Sequence, residues 1–379
     1  MQSVKFLHTA DIHLDSPFST SDVGKSEIRR HELRQSFSDM ITYAKNDRTE
    51  LLLIAGDLFE TAFATKETVD FLKREFASIP DCRIVIAPGN HDPFTESGIY
   101  SKTSFPENVH IFSSEHLEAI DFPEINCTVY GYAFLSDTLG NCPFSGKHPS
   151  ERDRINILVG HGDMTDILSE KCPISKADIE KAGFDYTALG HIHNSDGIHQ
   201  TASGYYAYSG CPTGRGFDET GKKTVICGEL FKSGGELKLV PKLLDFSLRE
   251  YRSDILDITG LGNTVAIIDE IKTLIRERGY SDRTALRVTL NGTIAPELRI
   301  YPQYLQKQIT GLFLLEIIDR TLPLYDSRML ENDPSIRGAL FEKLRPMLES
   351  GDPTERETAI MAFRYALIAL SGGETNDLV

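Results

Sequence analysis

Five short polar clusters, each directly after an apolar run, are the residues of this 379-residue chain best suited to chemistry. They read Asp11-Ile12-His13, Gly56-Asp57, Gly89-Asn90-His91-Asp92, Gly160-His161-Gly162-Asp163 and Gly190-His191-Ile192-His193. Their carboxylate, amide and imidazole groups, without thiolate, favour manganese, iron or zinc over calcium. Two such ions together lower the pKa of a shared water and hold the attacking and leaving oxygens of a phosphoester. The clusters therefore predict a two-metal hydrolase.

The chemistry of each side chain indicates its role. Asp57 has two carboxylate oxygens and suits a position between two cations, whereas Asn90 offers a neutral carbonyl oxygen. His91 is predicted to protonate the leaving oxygen, with Asp92 holding its imidazole in the required tautomer. The remaining candidates are carboxylate and imidazole ligands: Asp11, His13, His161, His191 and His193. A single histidine of this kind is more often an ordinary loop residue, but five in similar loops argue against that interpretation for the set.

The apolar runs before the clusters are predicted to be strands, at residues 4–7, 51–55, 84–87, 155–159 and 186–189. A strand followed by a short polar loop gathers ligands along one edge of a sheet. Apolar residues at helical spacing predict helices at 26–45 and 66–76. Further strands are predicted after His193, at 205–208, 224–230 and 236–240. The pattern predicts an α/β fold, a β-sandwich flanked by helices.

Two further parts are predicted after this sandwich, which gives domains at 1–248, 249–320 and 321–379. Strands at 255–258, 286–290 and 312–318, with a helix at 264–278 that ends at Gly279, predict a small α/β domain. We interpret it as a cap that helps to select the substrate. The last part is predicted to be a helical C-terminal segment, whose second helix begins with Asp352 as N-cap and Pro353 as first residue.

Composition limits the partners and the compartment. The net charge is −16 and the pI about 5.2, so the chain lacks the basic surface with which a protein grips nucleic acid alone. A DNA substrate would therefore imply a basic partner. The six cysteines form no CxxC pair, and no apolar stretch approaches the roughly 20 residues that span a membrane. The chain starts directly with a strand and shows no signal sequence, so we expect a cytoplasmic protein without a membrane partner.

Residues 216–223 nearly spell a phosphate-binding P-loop. Lys223, however, occupies the position that requires serine or threonine, and the segment leads into a predicted strand rather than a helix. We interpret it as a hairpin turn and expect no ATP hydrolysis by this chain. Cys211 has no paired base in the motifs and is not expected to act as a nucleophile.

In this order, the motifs DxH, GDLF, GNHD, GHGD and GHIH resemble the calcineurin-like metallophosphoesterase signature. The longer stretches HTADIHLDSPF, APGNHDP and YSGCPTGRGF are similar to its SbcD-like DNA-repair nuclease branch. The letters LDSPF are closest to the YhaO-like bacterial proteins. The resemblance covers residues 3–245 and is only architectural beyond them.

The resemblance implies a metal-dependent DNA phosphodiesterase, a nuclease or exonuclease of DNA repair, with His91 as its catalytic histidine. It implies that one ion is held by Asp11, His13, Asp57 and His193. It implies that the second ion is held by Asp57, Asn90, His161 and His191. Manganese (Mn2+) is the metal usually linked to the branch. The implied partners are DNA, an SMC-like ATPase of the SbcC/YhaN type that docks on residues 334–370, and a second copy of the chain in a homodimer.

One residue departs from the pattern of the branch, and two other interpretations stay open. Archaeal and eukaryotic relatives carry a histidine three positions after the bridging aspartate, where this chain has Glu60. An ionised carboxylate cannot donate a hydrogen bond, which puts exonuclease action by the same route in question. The alternatives are a phosphoesterase for a non-DNA substrate, such as a cyclic nucleotide or a phosphoprotein, and a non-catalytic scaffold. The added α/β unit argues against the first, and the complete ligand set against the second.

Overall fold

Two sheets organise the first part of the chain in the computed structural model, which describes residues 2–18, 23–295, 298–323 and 330–370. Their strands are β1 Gln2–Thr9, β2 Leu51–Ile54, β3 Arg83–Ile86, β4 Val109–Ile111, β5 Glu118–Phe122, β6 Cys127–Gly131, β7 Ile155–His161, β8 Tyr186–Gly190, β9 Ile198–Gln200, β10 Tyr205–Tyr208, β11 Val225–Ser233 and β12 Glu236–Leu244. The first sheet has the order β12-β11-β1-β2-β3-β4 and the second β5-β6-β7-β8-β10-β9. Strands β1 to β4 run parallel, as do β6, β7, β8 and β10.

The two sheets pack face to face, as strand β2 illustrates. Leu51 and Leu53 belong to a core shared with the second sheet, whereas Leu52 and Ile54 pack towards the helices on the outer side. All four side chains are fully buried. Because both faces of the strand are covered, its sequence is continuously apolar instead of alternating. Each buried side chain of this size contributes roughly 1.5–3 kcal/mol to folding.

Helices cover the outer faces of the sandwich. They are α1 Val23–Asp47, α2 Lys66–Ala77, α3 Ile99–Lys102 and α4 Lys176–Ala182. Helix α4 shows why these segments are helical, since the Ser175 hydroxyl accepts from the Asp178 backbone N–H and Gly183 ends the helix at φ +71°. The predicted helices and the predicted helix-flanked β-sandwich are confirmed. None of the described helices is long and apolar enough to cross a membrane.

The later part of the chain has its own core. Its strands are β13 Glu250–Asp257, β14 Thr284–Asn291, β15 Thr293–Ile294, β16 Leu314–Asp319 and β17 Leu322–Pro323. Its described helices of four residues or more include α5 Thr264–Arg278, α6 Pro302–Gln308, α7 Ile336–Leu348 and α8 Pro353–Leu370. Helix α5 begins after Asn263, whose side chain accepts from the Ala266 N–H, and ends at Gly279 with φ +69°. Strands β13, β14 and β16 form one sheet and overlap the strands predicted at 255–258, 286–290 and 312–318, although β13 begins five residues earlier than predicted.

The chain divides into two compact units, Met1–Glu250 and Tyr251–Val379. The division falls two residues after the predicted end of the first domain at 248. The separation of the second unit into parts at 249–320 and 321–379 stays a prediction. Residues 371–379, at the end of the predicted helical segment, lie outside the described residues.

Candidate metal centre

All nine predicted site residues lie where parallel strands end. Asp11 and His13 follow β1, Asp57 follows β2, Asn90, His91 and Asp92 follow β3, His161 ends β7, and His191 and His193 follow β8. The carboxyl ends of parallel strands meet at one edge of a sheet. Because the two sheets pack face to face, the loops of both sheets converge on one centre.

The loops after β1 and β2 are joined by backbone hydrogen bonds. The N–H of His13 donates to the Asp57 carbonyl oxygen at 2.9 Å, and the N–H of Glu60 donates to the Leu14 carbonyl oxygen at 3.0 Å. The N–H of Thr61 then reaches the loop after β3 by donating to the His91 carbonyl oxygen at 3.1 Å. These bonds fix the relative positions of the side chains that follow three neighbouring strands.

Four of the predicted ligands have left-handed backbone conformations that side chains other than glycine rarely adopt. The φ angles are 52° at Asp11, 49° at His13, 53° at Asp57 and 106° at His191. Each such residue costs roughly 1–3 kcal/mol, a strain that occurs mostly at functional sites. The hydrogen bonds between the loops hold these conformations in place.

Gly190 allows the loops of the two sheets to approach closely. A Cβ atom at this position would lie 1.8 Å from the carbonyl oxygen of Ala55 and 2.7 Å from the side chain of Ala10. Only glycine fits between these backbones, which explains its place directly before His191.

Asp11, His13 and His193 form one group of candidate ligands. One ligand atom from each lies within 4.8 Å of the others, and Nε2 of His193 is 3.7 Å from Oδ1 of Asp11. His13 is fully buried, and within the described structure its Nε2 has no hydrogen-bond partner. Burial of an unpaired polar atom is costly. A divalent cation between this nitrogen and the carboxylates fits the group.

Asp57 lies between the two sets of ligands. Its Oδ2 is 3.6 Å from Nε2 of His13 and 3.4 Å from Nε2 of His161, which is itself 3.0 Å from Oδ1 of Asn90. Burial alone would raise the pKa of Asp57, but the neighbouring imidazoles of His161 and His13 lower it below its usual range. The ionised carboxylate therefore has the position that its predicted bridging role requires.

His191 lies beside the second set. Its ring centroid is 5.2 Å from that of His161, and its backbone N–H donates to the Asp11 carboxylate at 3.1 Å. Burial lowers the pKa of His191, which favours the neutral imidazole that binds metals. Its Nε2 is 3.8 Å from Oδ2 of Asp163, a residue of the fourth cluster for which the sequence predicted no role.

Glu60 connects the candidate ligands to His91. Its Oε1 accepts from Nδ1 of His13 at 2.8 Å and its Oε2 accepts from Nδ1 of His91 at 2.9 Å. Although burial opposes ionisation, these two hydrogen bonds hold the pKa of Glu60 well below its usual range. The hydrogen bond that His91 donates to Glu60 in turn raises the pKa of His91, whose side chain is 47% exposed. His91 is thus a partly accessible imidazole with one fixed nitrogen.

The structure corrects the role predicted for Asp92. Both its oxygens are engaged elsewhere, because they accept from the backbone N–H groups of Asp57, Leu58 and Gly89 and from the Tyr100 hydroxyl, at 2.6–3.0 Å. Asp92 is fully buried, and Glu60 is the carboxylate that holds the His91 imidazole. Burial raises the pKa of Asp92, while its four donors favour the ionised form. Asp92 therefore joins the backbones of the loops after β2 and β3. Its position next to His91 in the sequence gave no sign of this role.

Sequence reasoning also missed Arg215 and Glu219. Oε1 of Glu219 accepts from Nδ1 of His193 at 2.7 Å, and the guanidinium of Arg215 donates to the same oxygen at 2.7 Å. Both residues stand in the stretch that resembles the nuclease branch, but their chemistry there is visible only once the loop is folded. The loop is not the predicted hairpin turn, because it leads from β10 in the second sheet to β11 in the first.

Comparison with known proteins gives a family match. A family model described as calcineurin-like phosphoesterase matches residues 4–195, just over half of the chain. The uncharacterized metallophosphoesterase YhaO of Bacillus subtilis is 28% identical over 308 residues, which cover 78% of this chain and 74% of that protein.

Two further relatives are more distant. A subunit of the nuclease SbcCD from Staphylococcus epidermidis is 26% identical, with 55% of this chain and 60% of that protein covered. The DNA double-strand break repair protein Mre11 of Methanopyrus kandleri is 22% identical, with 50% and 44% covered. The crystal structure of TT1561 of Thermus thermophilus is 11% identical, and the match covers 63% of this chain and 99% of that chain. Its TM-score is 0.36.

Proposed function

Because the chain belongs to the calcineurin-like phosphoesterase family, we propose that it is a two-metal phosphodiesterase that cleaves DNA. The observation that carries the proposal is the buried Nε2 of His13, which has no hydrogen-bond partner among the described residues and lies 3.6 Å from the Asp57 carboxylate. An imidazole held in this way is suited to bind a metal ion, and Asp11 and His193 lie within reach of the same ion.

The residues of the centre divide into two overlapping ligand sets. Asp11, His13, Asp57 and His193 would hold one ion. Asp57, Asn90, His161 and His191 would hold the other. Asp57 belongs to both sets, in agreement with its position between His13 and His161. Mn2+ is the proposed metal, and iron or zinc suits the same oxygen and nitrogen donors.

Two bound ions would supply charge that activates water and stabilises both oxygens of an in-line displacement at phosphorus. The protein's own contribution is the placement of one proton. Glu60 accepts from Nδ1 of His91, so the other ring nitrogen, Nε2, is directed away from Glu60 and is available to the substrate. The raised pKa of His91 favours the protonated ring, which can donate a proton to the leaving oxygen. His91 is therefore the proposed catalytic residue, and Glu60 positions it.

DNA is proposed as the substrate because one relative is named as a subunit of a nuclease and another as a DNA double-strand break repair protein. The net charge of −16 makes a strong grip on a polyanion by this chain alone unfavourable. We therefore propose a partner that supplies it, an SMC-like ATPase, and a homodimer as the assembled form. A cytoplasmic location stays a prediction.

The experiment that tests the proposal is cleavage of end-labelled single-stranded and duplex DNA with Mn2+, for the native protein and for His91→Ala. Loss of about 10²–10⁴-fold in rate with both ions still bound is expected for the variant, because general acid catalysis contributes that much. Equal loss of bound metal would contradict the catalytic assignment. Failure to cleave DNA combined with hydrolysis of a small phosphodiester would point to an intact site that awaits its partner or that acts on another phosphoester. No activity on either substrate would support a scaffold.

A further inference from the structure

His13 and His193, the two histidines proposed to bind one of the ions, each form a hydrogen bond from Nδ1 to a glutamate. Nδ1 of His13 is 2.8 Å from Oε1 of Glu60, and Nδ1 of His193 is 2.7 Å from Oε1 of Glu219. An ionised carboxylate only accepts hydrogen bonds, so both Nδ1 atoms carry the proton. In the neutral form of each ring, Nε2 then has a lone pair for a cation.

Arg215 lies between the two supporting carboxylates. Its guanidinium is 2.7 Å from Oε1 of Glu219 and 3.5 Å from Oε1 of Glu60. A third hydrogen bond, at 2.7 Å, joins the backbone N–H of Arg215 to Oε2 of Glu219. Glu219 is 3% exposed, and a carboxylate buried to that degree requires the charge of Arg215. One arginine thus links the carboxylates that fix His13 and His193.

The loop that carries Arg215 and Glu219 is itself anchored. Arg29 of helix α1 donates to the Gly214 carbonyl oxygen at 2.7 Å. Lys223, at the far end of the loop, donates to Oδ1 of Asn194 at 2.7 Å. Asn194 directly follows His193, so the loop and the ligand segment are connected on both sides.

Among the described residues, neither histidine proposed for the other ion has a ring nitrogen hydrogen-bonded to a carboxylate. Nδ1 of His161 is 2.9 Å from the backbone carbonyl oxygen of Ala55, a neutral acceptor. His191 meets the Asp163 carboxylate through Nε2, at 3.8 Å. Carboxylates on the far nitrogen make an imidazole a stronger and better oriented ligand than a neutral acceptor does. The two metal positions are therefore chemically unequal.

We propose that Glu219 and Arg215 are positioning residues for one of the two metal ions, the ion bound by Asp11, His13, Asp57 and His193. Glu219 fixes the direction of the His193 ring through its hydrogen bond to Nδ1, and Arg215 holds Glu219 and Glu60 in place through its guanidinium. This inference rests on the proposed metal centre, but not on DNA as the substrate.

The test is a calorimetric titration of the metal-free full-length protein with Mn2+, without any nucleic acid. We expect two binding steps for the native protein. Glu219→Gln should weaken one step by about 10- to 100-fold and leave the other unchanged, because removal of such a carboxylate costs that much in metal affinity. Asp218→Asn is the matched control, since it removes a carboxylate from the neighbouring, exposed position of the same loop. It should bind both ions as the native protein does.

Arg215→Lys provides the second variant, because lysine keeps the charge but lacks the planar fork. It should weaken the same step as Glu219→Gln, and the double variant should weaken that step at least as much as Glu219→Gln alone, because Arg215 also contacts Glu60. The thermal midpoint of the metal-free proteins separates this effect from general unfolding. The inference would be overturned if Glu219→Gln bound both ions with native affinity or weakened both steps equally. It would also be overturned if the native protein showed fewer than two binding steps. Two intact steps without DNA cleavage, in the presence as well as the absence of an SMC-like ATPase, would reject the proposed substrate and leave the inference standing.

Discussion

Oε2 of Glu60 lies 2.9 Å from Nδ1 of His91, a contact between residues that are 31 positions apart in the sequence. The other oxygen of the same carboxylate accepts from Nδ1 of His13. Glu60 stands where the resemblance to archaeal and eukaryotic nucleases implies a histidine. A carboxylate is suited to this place because it accepts from two imidazole N–H groups at once, which a histidine cannot do. The proposed acid and a proposed metal ligand are thus oriented by one side chain.

Glu60→Gln should lower kcat by about 10- to 100-fold at saturating Mn2+ with little change in KM. An amide has only one oxygen, so its NH2 group would face an imidazole N–H and one ring would lose its orientation. The measurement is steady-state hydrolysis of bis(p-nitrophenyl) phosphate. Glu67→Gln is the matched control, because Glu67 is 78% exposed on helix α2. Native turnover in Glu60→Gln would show that His91 is oriented without this contact.

Asp57→Asn should weaken the binding of both ions together. Its carboxylate lies within 3.6 Å of one imidazole from each ligand set, and the amide would offer one neutral oxygen in place of a charged group with two. The change is measured as the Mn2+ content after dialysis at several free Mn2+ concentrations. Loss of a single ion, with the second retained at native affinity, would disprove the bridging position.

Asp92→Asn should lower the free energy of unfolding by roughly 2–3 kcal/mol, because the amide nitrogen would face buried donors that now meet a carboxylate oxygen. The loss is measured by urea unfolding of the metal-free protein. Asp81→Asn, at an exposed position, should be neutral. If Asp92 acted on the His91 imidazole instead, turnover would fall while stability stayed native.

The candidate ligands could be picked out in the sequence because each one ends a strand or follows a strand within a few residues. Asp11 after β1 and His193 after β8 are examples, since an apolar run and the polar loop behind it are both local signals. Glu219 and Arg215 could not be assigned a role, because their contacts with His193 and Glu60 arise only when two sheets pack together. The order of residues along the chain even led to a wrong role for Asp92, which is next to His91 in the sequence but forms its hydrogen bonds elsewhere.

The fold shows the same division between local and distant information. Strand β2 and helix α5 were predicted within one residue, since each has a clear apolar pattern and, for α5, a glycine end signal. Strand β6 was not predicted. Its five residues, Cys127–Gly131, are all buried and include a threonine and a glycine. So short a buried segment has neither the alternation nor the length that identifies a strand.

Deletion of residues 334–379 should abolish copurification with an SMC-like ATPase and leave the hydrolysis of a small phosphodiester intact. The segment contains helices α7 and α8, which pack on each other with the Phe341 and Phe363 rings 5.9 Å apart. The site residues all precede residue 220, so the deletion leaves every proposed ligand in place. The measurement is affinity capture of coexpressed partners. Retained copurification would place the docking surface elsewhere in the chain.

Stability should fall as the pH decreases below 6.5, because His8 is fully buried between the sheets. Its Nε2 donates to the Leu189 carbonyl oxygen, so Nδ1 accepts from the Tyr186 hydroxyl and the ring is neutral. Burial lowers the pKa of His8 from 6.5 to about 3. Neutral His8 therefore makes its full contribution to the free energy of unfolding above pH 6.5. As the pH falls from 6.5 towards 3, that free energy decreases by up to about 1.4 kcal/mol per pH unit.

Urea unfolding at pH 7 and pH 5 of the native protein and His8→Asn measures this contribution. The other histidines are the same in both proteins, so the difference in slope isolates His8, and the variant should lose less stability between the two pH values. His116→Asn, at an exposed position, should keep the native slope. Only a group whose pKa differs between the folded and unfolded states makes the free energy of unfolding depend on pH. If His8→Asn showed the same pH dependence as the native protein, the buried His8 ring would not be what makes the fold sensitive to acid.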